Sequence, residues 1–212
     1  MCASYGLQIT ADEARDEFST MDERSSMPEL VEWLDAFRDQ KVLPTGSRAL
    51  NLNPIVRERT RDGRAERSID LAWWRLWVGG GPAKFPAINA RVEKLLDSGA
   101  WSGPIRSRRA IVPATLYYEK GHRFDLDGAP FGMAGIYNVT KQASGEWMLS
   151  YAIVTRPAID RFADIHDRMP LVLPREFYGD WLDPEATGDA ELVGAALGAS
   201  GDIADRLTVR PV

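Results

Sequence analysis

The stretch from Ala49 to Val78 most narrows what this chain can become. Before it, apolar residues recur at helical spacing. From Ala49 the period drops to two, with Leu50 and Leu52 alternating with Asn51 and Asn53 ahead of Pro54. Ser68 to Val78 is then rich in β-branched and aromatic side chains around Trp73, Trp74 and Trp77, and the arginine-rich segment between the two carries Asp62-Gly63 at its centre. Asp-Gly supplies two consecutive residues that tolerate positive φ, which a two-residue hairpin turn requires. The segment therefore reads as a β-hairpin. Further strands read at Ala110 to Tyr118, Phe131 to Tyr137 and Met148 to Thr155, divided by turns at Asp127-Gly128 and Ser144-Gly145.

Helices flank these strands. Thr10 with Glu13 three residues on is a capping-box pattern that starts a short helix through about Thr20. A second helix opens at Pro28, carries Leu30, Val31, Leu34 and Phe37 on one face, and ends by Lys41, Pro44 and Gly46. Asn89 is placed to cap a third, with Val92, Leu95 and Leu96 inward and Gly99 as its stop. Gly79-Gly80-Gly81-Pro82 lacks the spacing and the lysine of a phosphate loop, so it reads as a flexible connection. Pro157 opens a short helix with Ile159 and Phe162 inward, and a helix at Ala190 to Leu197 precedes an edge strand at Leu207 to Val209. No linker, internal repeat or low-complexity run interrupts the chain, so a single domain over 1–212 is expected.

With 44% hydrophobic residues in 212, the chain can bury a substantial core. No apolar run is long enough to span a bilayer, and the N-terminus lacks the basic and apolar regions of a signal peptide, so a cytoplasmic protein without membrane contact is expected. One cysteine excludes an internal disulfide, and one cysteine with two histidines leaves too few soft ligands for zinc; neither metal nor cofactor is expected. The formal charge of −5 is unevenly spread. Residues 11–40 hold 10 acidic against 3 basic side chains and residues 175–212 hold 8 against 3, but residues 57–110 hold 12 basic against 6 acidic. The basic residues gather at Arg57, Arg59, Arg61, Arg64 and Arg67 and again at Arg106, Arg108 and Arg109. Either cluster alone suits a solvated turn; together they allow a local phosphate-binding face on an acidic protein.

Cys2 is the lone cysteine. A lone cysteine is more often a small buried hydrophobe than a nucleophile, but position two is special. Once Met1 is removed, which a small second residue permits, Cys2 offers an α-amine and a thiol on adjacent carbons. The amine can condense with an aldehyde to an imine, and the thiol can close on the same carbon to give a thiazolidine. Glu119 follows the aromatic pair Tyr117 and Tyr118, and His166 lies between Asp164 and Asp167 ahead of a buried-looking strand. Each alone suits a strand-end charge or a surface loop.

Taken together in this order, the residues resemble the SOS response-associated peptidase (SRAP) family, which shields abasic sites in single-stranded DNA. The resemblance runs nearly end to end. It is carried by Met1-Cys2, Asn51-Leu52-Asn53-Pro54, Trp74, Ile88-Asn89-Ala90-Arg91-Val92-Glu93, Arg109 to Ala114 running on to Tyr118-Glu119, Ile153-Val154-Thr155, Ile165 to Leu173 and a Pro211-Val212 close. It implies an α+β fold, a β-rich barrel-like core with flanking helices, whose cleft holds the processed N-terminus. It places thiazolidine formation on Cys2, orientation of the reacting end on Asn89, a phosphate grip on Arg91, and proton transfer in imine formation, ring closure and Met1 removal on Glu119 and His166. The DNA-facing set is read as Arg91, Pro54, Thr155, Arg106, Arg108 and Arg109, and the expected partner is single-stranded DNA containing abasic sites, bound by a monomer.

The chain departs from the family pattern at several places. Ala3-Ser4 stands where members usually carry Gly-Arg, Thr115-Leu116 where they carry Asp-Gly, Lys120 where they carry Trp, and Arg75 and Val78 where they carry Gly and Pro. Gly80 and Gly81 stand where some members offer aromatics. Two other readings therefore remain beside the crosslinking one. One is a cysteine peptidase or amidase with His166 as base, told apart by turnover; the other is a non-covalent single-stranded DNA-binding module, indifferent to the aldehyde.

Overall fold

The computed structural model describes residues 3–18, 27–142 and 144–212. Cys2, and the end of the first expected helix at Thr20, lie outside the described residues. In chain order the strands are β1 (Tyr5–Gly6), β2 (Leu52–Arg61), β3 (Arg64–Trp74), β4 (Trp77–Val78), β5 (Gly81–Pro82), β6 (Asn89–Arg91), β7 (Arg109–Ala114), β8 (Leu116–Glu119), β9 (His122–Asp125), β10 (Phe131–Lys141), β11 (Trp147–Pro157), β12 (Arg168–Pro170), β13 (Val172–Leu173) and β14 (Thr208–Pro211). The helices are α1 (Ala11–Phe18), α2 (Met27–Phe37), α3 (Ser102–Ser107), α4 (Tyr178–Leu182) and α5 (Ala190–Arg206).

Five strands close on themselves as a barrel in the order β11-β3-β2-β7-β10, with β10 pairing back onto β11. Neighbours are antiparallel except β3 and β11, which run parallel at Ser150↔Trp73 and Tyr151↔Trp74. Asp62 (φ 51°) and Gly63 (φ 75°) make the hairpin turn that fixes the β2–β3 register from Leu52↔Trp73 to Arg61↔Arg64. Val56, Ile111, Ala134, Ile136, Ala152 and Val154, spread over the barrel strands, are fully buried. One glycine is required by space alone: a Cβ on Gly132 would stand 2.5 Å from Ile111 Cγ2 and 2.9 Å from the Tyr178 ring, which lets α4 lie close against the barrel. A second sheet, β1-β8-β9-β14, packs beside the barrel and brings the N-terminal segment into the fold.

Several local readings change. Asn89 caps no helix: residues 89–91 form β6, parallel to β11 at Ile153, Val154 and Thr155, and only a 3-10 turn follows at Val92–Lys94. The backbone there finds ladder partners on β11, and Trp74 Nε1 donates to the Ile88 carbonyl at 2.9 Å, so tertiary pairing overrides the local helix pattern. Gly79 and Gly80, both at positive φ, tighten the glycine run into the β4–β5 hairpin. The expected Ala110–Tyr118 strand divides at Thr115 into β7 and β8, which belong to different sheets. On α2, Val31 is exposed and Trp33 takes the inner face with Leu30 and Leu34. Pro157 ends β11, and the helix expected after it is a 3-10 turn at Asp160–Phe162. At the start of α1 the capping box is present, with Thr10 N donating to Glu13 Oε2 at 2.7 Å and Glu13 N to Thr10 Oγ1 at 3.2 Å. No helix among the described residues is long and apolar enough to cross a membrane.

Arg57, assigned above to a basic cluster, serves the barrel. Its Nε donates to Asp70 Oδ2 across the β2–β3 pair at 2.7 Å, and Ser68 Oγ donates to the same oxygen at 2.7 Å. Burial alone would raise the Asp70 carboxyl; the hydrogen bonds from Arg57 and Ser68 and the Arg57 charge outweigh it and hold the group below its ordinary value. A depressed folded-state pKa contributes stability that is complete above the unfolded carboxylate value of about 3.9 and is lost as pH falls through the folded value. Asp70→Asn, which strands the buried Arg57 charge, should cost about 3 kcal/mol at pH 7 in urea unfolding. Its deficit relative to the parent should shrink below about pH 4. Equal stability at pH 7 would mean that the pair contributes nothing.

Candidate active site

The site forms where the second sheet meets the open end of β11. The N-terminal segment is laced there by backbone bonds: Tyr118 N donates to the Ser4 carbonyl at 2.9 Å, Thr115 N to the Gly6 carbonyl at 2.8 Å, and Val42 N to the Tyr5 carbonyl at 2.8 Å. Thr115 Oγ1 also accepts from Gln8 N at 3.0 Å, so the threonine at a departure from the family pattern anchors this segment. Tyr5 is fully buried, its hydroxyl 2.8 Å from that of Tyr151 and its ring edge-on to Trp74 at 5.1 Å. Trp74 in turn stacks on Tyr151 and holds the Ile88 carbonyl, one residue before Asn89. One aromatic cluster thus fixes both the N-terminal strand and the start of β6.

Glu119 and His166, 47 positions apart in the sequence, are brought together: His166 Nε2 lies 3.9 Å from Glu119 Oε1. Glu119 ends β8, opposite His122, and its side chain is only 10% exposed. It lines two recesses at once. One is a cavity of about 220 Å³ walled also by Ala3, Ser4, Lys41, Tyr118 and Lys120; the other is a narrow cleft shared with His166, Arg168, Tyr117 and Phe162. The carboxylate therefore faces the N-terminal segment on one side and the imidazole on the other.

The imidazole is held from behind. Arg168 N donates to His166 Nδ1 at 2.9 Å, while Asp167 Oδ1 lies 2.7 Å from the same nitrogen. One nitrogen cannot accept from the amide and donate to the carboxylate together. The neutral ring takes the amide bond and carries its proton on Nε2, toward Glu119; the protonated ring donates to Asp167, which is 80% exposed. Both protonation states thus have a ready partner at Nδ1.

Arg168 is the residue that sequence reasoning left out of the site. Nearly buried, it grips Glu93 through both guanidinium NH2 groups and donates to the Thr155 carbonyl at 2.7 Å. Its hydrogen bond to Glu93 holds that carboxyl below the ordinary glutamate range. The signal was present in the Asp-Arg that follows His166, a basic residue running straight into a buried strand.

Asn89 is 7% exposed on β6, and the β6–β11 register puts it on the same face as Arg91, next to Ile153 and Thr155. Arg91 is exposed beside Thr155, to which Arg168 is bonded, so it presents a cation at the site end of the barrel. Pro54 and Thr155 are buried, Thr155 completely. Arg106 and Arg108 lie by the opposite end of β7 from Ala114 and the site, Arg106 exposed and Arg108 tied to Asn138 Oδ1 at 3.0 Å. Arg109 is 3% exposed and donates to the carbonyls of Ile105, Arg106, Trp181, Asp183 and Ala186. It is an internal clasp between α3, β7 and the segment after α4, because its guanidinium, carried on β7, spans five carbonyls of α3, α4 and the residues that follow α4. Among the described residues no cluster of His, Cys, Asp and Glu could hold a metal ion.

Comparison with known proteins gives the following. The family described as SOS response associated peptidase (SRAP) matches residues 1–212. The abasic site processing protein YedK of Escherichia coli (strain K12) is 32% identical over 68% of this chain and 67% of its own length. The abasic site processing protein YoaM of Bacillus subtilis is 29% identical over 66% of this chain and 67% of its own. A crystal structure from Bordetella bronchiseptica superposes with a TM-score of 0.72 at 24% identity, covering 100% of this chain and 99% of that one. A Bacteroides thetaiotaomicron structure does so with a TM-score of 0.75 at 19% identity, covering 100% and 92%. These two likenesses establish the fold.

The placement of Arg109 has a direct test. Arg109→Met leaves buried carbonyls without donors and should lower stability by at least about 3 kcal/mol, whereas Arg106→Ala should stay within about 0.5 kcal/mol, as read from chemical unfolding.

Proposed function

The chain belongs to the SOS response associated peptidase family, and from that premise we propose that it processes abasic sites in single-stranded DNA, trapping the ring-opened sugar aldehyde as a thiazolidine on Cys2. What supports this reading is the position of Glu119, which lines both the cavity walled by Ala3, the covalent neighbour of Cys2, and the cleft shared with His166. The resemblance of the chain's relatives points the same way, since YedK and YoaM are named abasic site processing proteins.

The chemistry needs a shielded carboxylate and an imidazole that trade protons. Removal of Met1, by this machinery or by an aminopeptidase, frees the α-amine. The amine adds to the aldehyde carbon to form a carbinolamine, whose hydroxyl leaves as water when a neighbouring acid protonates it. The thiol of Cys2 then adds to the imine carbon, its proton passing to the nitrogen, and the five-membered ring closes with one water released overall. His166, able to carry its proton on Nε2 toward Glu119, and Glu119 itself supply the donor and acceptor. Asn89 orients the reacting end and Arg91 holds phosphate beside it. The protein acts as a monomer that is consumed with its substrate, so its activity is a single-turnover crosslink and not a catalytic cycle.

Intact mass after incubation with an abasic oligonucleotide tests the reading. The parent chain should begin at Cys2 and gain the mass of the strand less one water, in a heat-stable adduct. Cys2→Ser keeps the amine but loses the thiol, and should give an adduct that survives heat only after borohydride capture. Glu119→Gln should slow adduct formation by about 100- to 10,000-fold while leaving affinity for an unreactive abasic analogue within a few-fold. A chain that keeps Met1 and still crosslinks would overturn the proposal, and repeated turnover on peptides would favour a hydrolase.

A further inference from the structure

The cavity that Glu119 shares with the N-terminal segment is walled on its solvent side by two lysines, Lys41 and Lys120. Both are exposed, and among the described residues no carboxylate lies within 4.0 Å of either ammonium group. Lys41 is not loose: its Nζ stands 3.6 Å over the centre of the Tyr118 ring, which walls the same cavity, so the charge is parked at the rim.

Lys120 carries a second signal, in its backbone. Three described two-residue turns pair a positive-φ side chain with a following glycine: Asp62-Gly63, Lys120-Gly121 and Asp127-Gly128. Asp tolerates the left-handed conformation because its short side chain bonds locally; a long lysine gains nothing there and costs about 1 kcal/mol or more. At the turn beside the cavity, with φ 48°, the chain carries lysine all the same. The tight turn between Glu119 and His122 also fixes the lysine Cα just beyond the carboxylate, so its ammonium is anchored near the cavity by covalent geometry.

We propose that Lys41 and Lys120 form a phosphate-binding pair at the mouth of this cavity, holding backbone phosphates that flank the abasic nucleotide while its aldehyde reaches toward Glu119. The proposal rests on the functional reading above. It also accounts for two departures from the family pattern, since cations at 41 and 120 surround the cavity where Ser4 stands in place of arginine and Lys120 in place of tryptophan. The acidic whole-molecule charge repels a polyanion, so two cations gathered at the cavity mouth would add to Arg91 in holding one locally.

The test is the salt dependence of binding to a single strand carrying a tetrahydrofuran abasic analogue, which cannot react. Each phosphate contact adds about −0.7 to the slope of log K against log salt for single strands, which corresponds to about 5-fold in affinity at about 0.1 M salt. Lys41→Gln and Lys120→Asn, the latter chosen because Asn accepts the left-handed turn, should each flatten the slope by about 0.7 and together weaken binding by about 25-fold. Lys41→Arg and Lys120→Arg keep the charge and should keep the slope. Lys141→Gln, an exposed lysine at the far end of β10, should leave it unchanged. Unchanged slopes in the Gln and Asn variants, or an equal flattening by Lys141→Gln, would overturn the pair. If the slopes flatten as expected but the parent forms no adduct with an aldehyde-bearing strand, the phosphate pair stands and the crosslinking chemistry falls.

Discussion

Everything in this molecule depends on the backbone of β11. Along its eleven residues it bonds to β10 on one side, to β3 in parallel at its first half, to β6 in parallel from Ile153 to Thr155, and to β12 from Thr155 to Pro157. Pairing with β3 and β10 together is what closes the barrel. The last third of the same strand, freed from β3, becomes the floor on which β6 presents Asn89 and Arg91 and β12 presents Arg168. Barrel closure and site assembly are two uses of one set of hydrogen-bonding groups, made possible because parallel partners can follow one another along a strand.

The polar residues at the site form a continuous chain of support. Thr155 and Glu93 hold the Arg168 guanidinium, Arg168 offers its amide to His166, and His166 faces Glu119. On the other side, Thr115 and Tyr118 hold the N-terminal segment against the strand that ends in Glu119. A nearly buried arginine bound twice to one carboxylate has little freedom to move, so the imidazole is oriented by the fold and not by its ligand. This is the arrangement a proton-transfer pair requires, since positions fixed in advance need no reordering as the reaction proceeds.

Much of this was legible in the sequence, for identifiable reasons. The β2–β3 hairpin and the α1 capping box are local devices, written in residues two or three positions apart, and both stand where the pattern puts them. Glu119 and His166 were legible as a pair only through the family resemblance, because nothing local marks a contact between a strand end and a loop 47 residues on. Asn89 shows the limit: its helix-like surroundings are overridden by a strand partner some 60 residues away, which no window of sequence contains. The arginines mislead for a related reason. Charge counting treats Arg57, Arg106 and Arg109 alike, whereas one is a barrel ion pair, one is solvated and one is swallowed by five carbonyls. At Arg75 a φ of 154° is kept by bonds from its amide to the Trp73 and Tyr151 carbonyls, a constraint visible only in three dimensions.

The parallel pairing of β3 with β11 sets an order of events during synthesis. Trp73 and Trp74 leave the ribosome about eighty residues before the strand that will cover them, and at about 5–20 residues per second that is a wait of roughly 4–16 seconds. Tyr5 waits longer still, since its hydroxyl partner on Tyr151 lies 146 residues further along the chain. The aromatic cluster that joins Tyr5, Trp74 and Tyr151 is thus completed only when β11 arrives, which leaves a tryptophan-rich strand edge uncovered on the nascent chain.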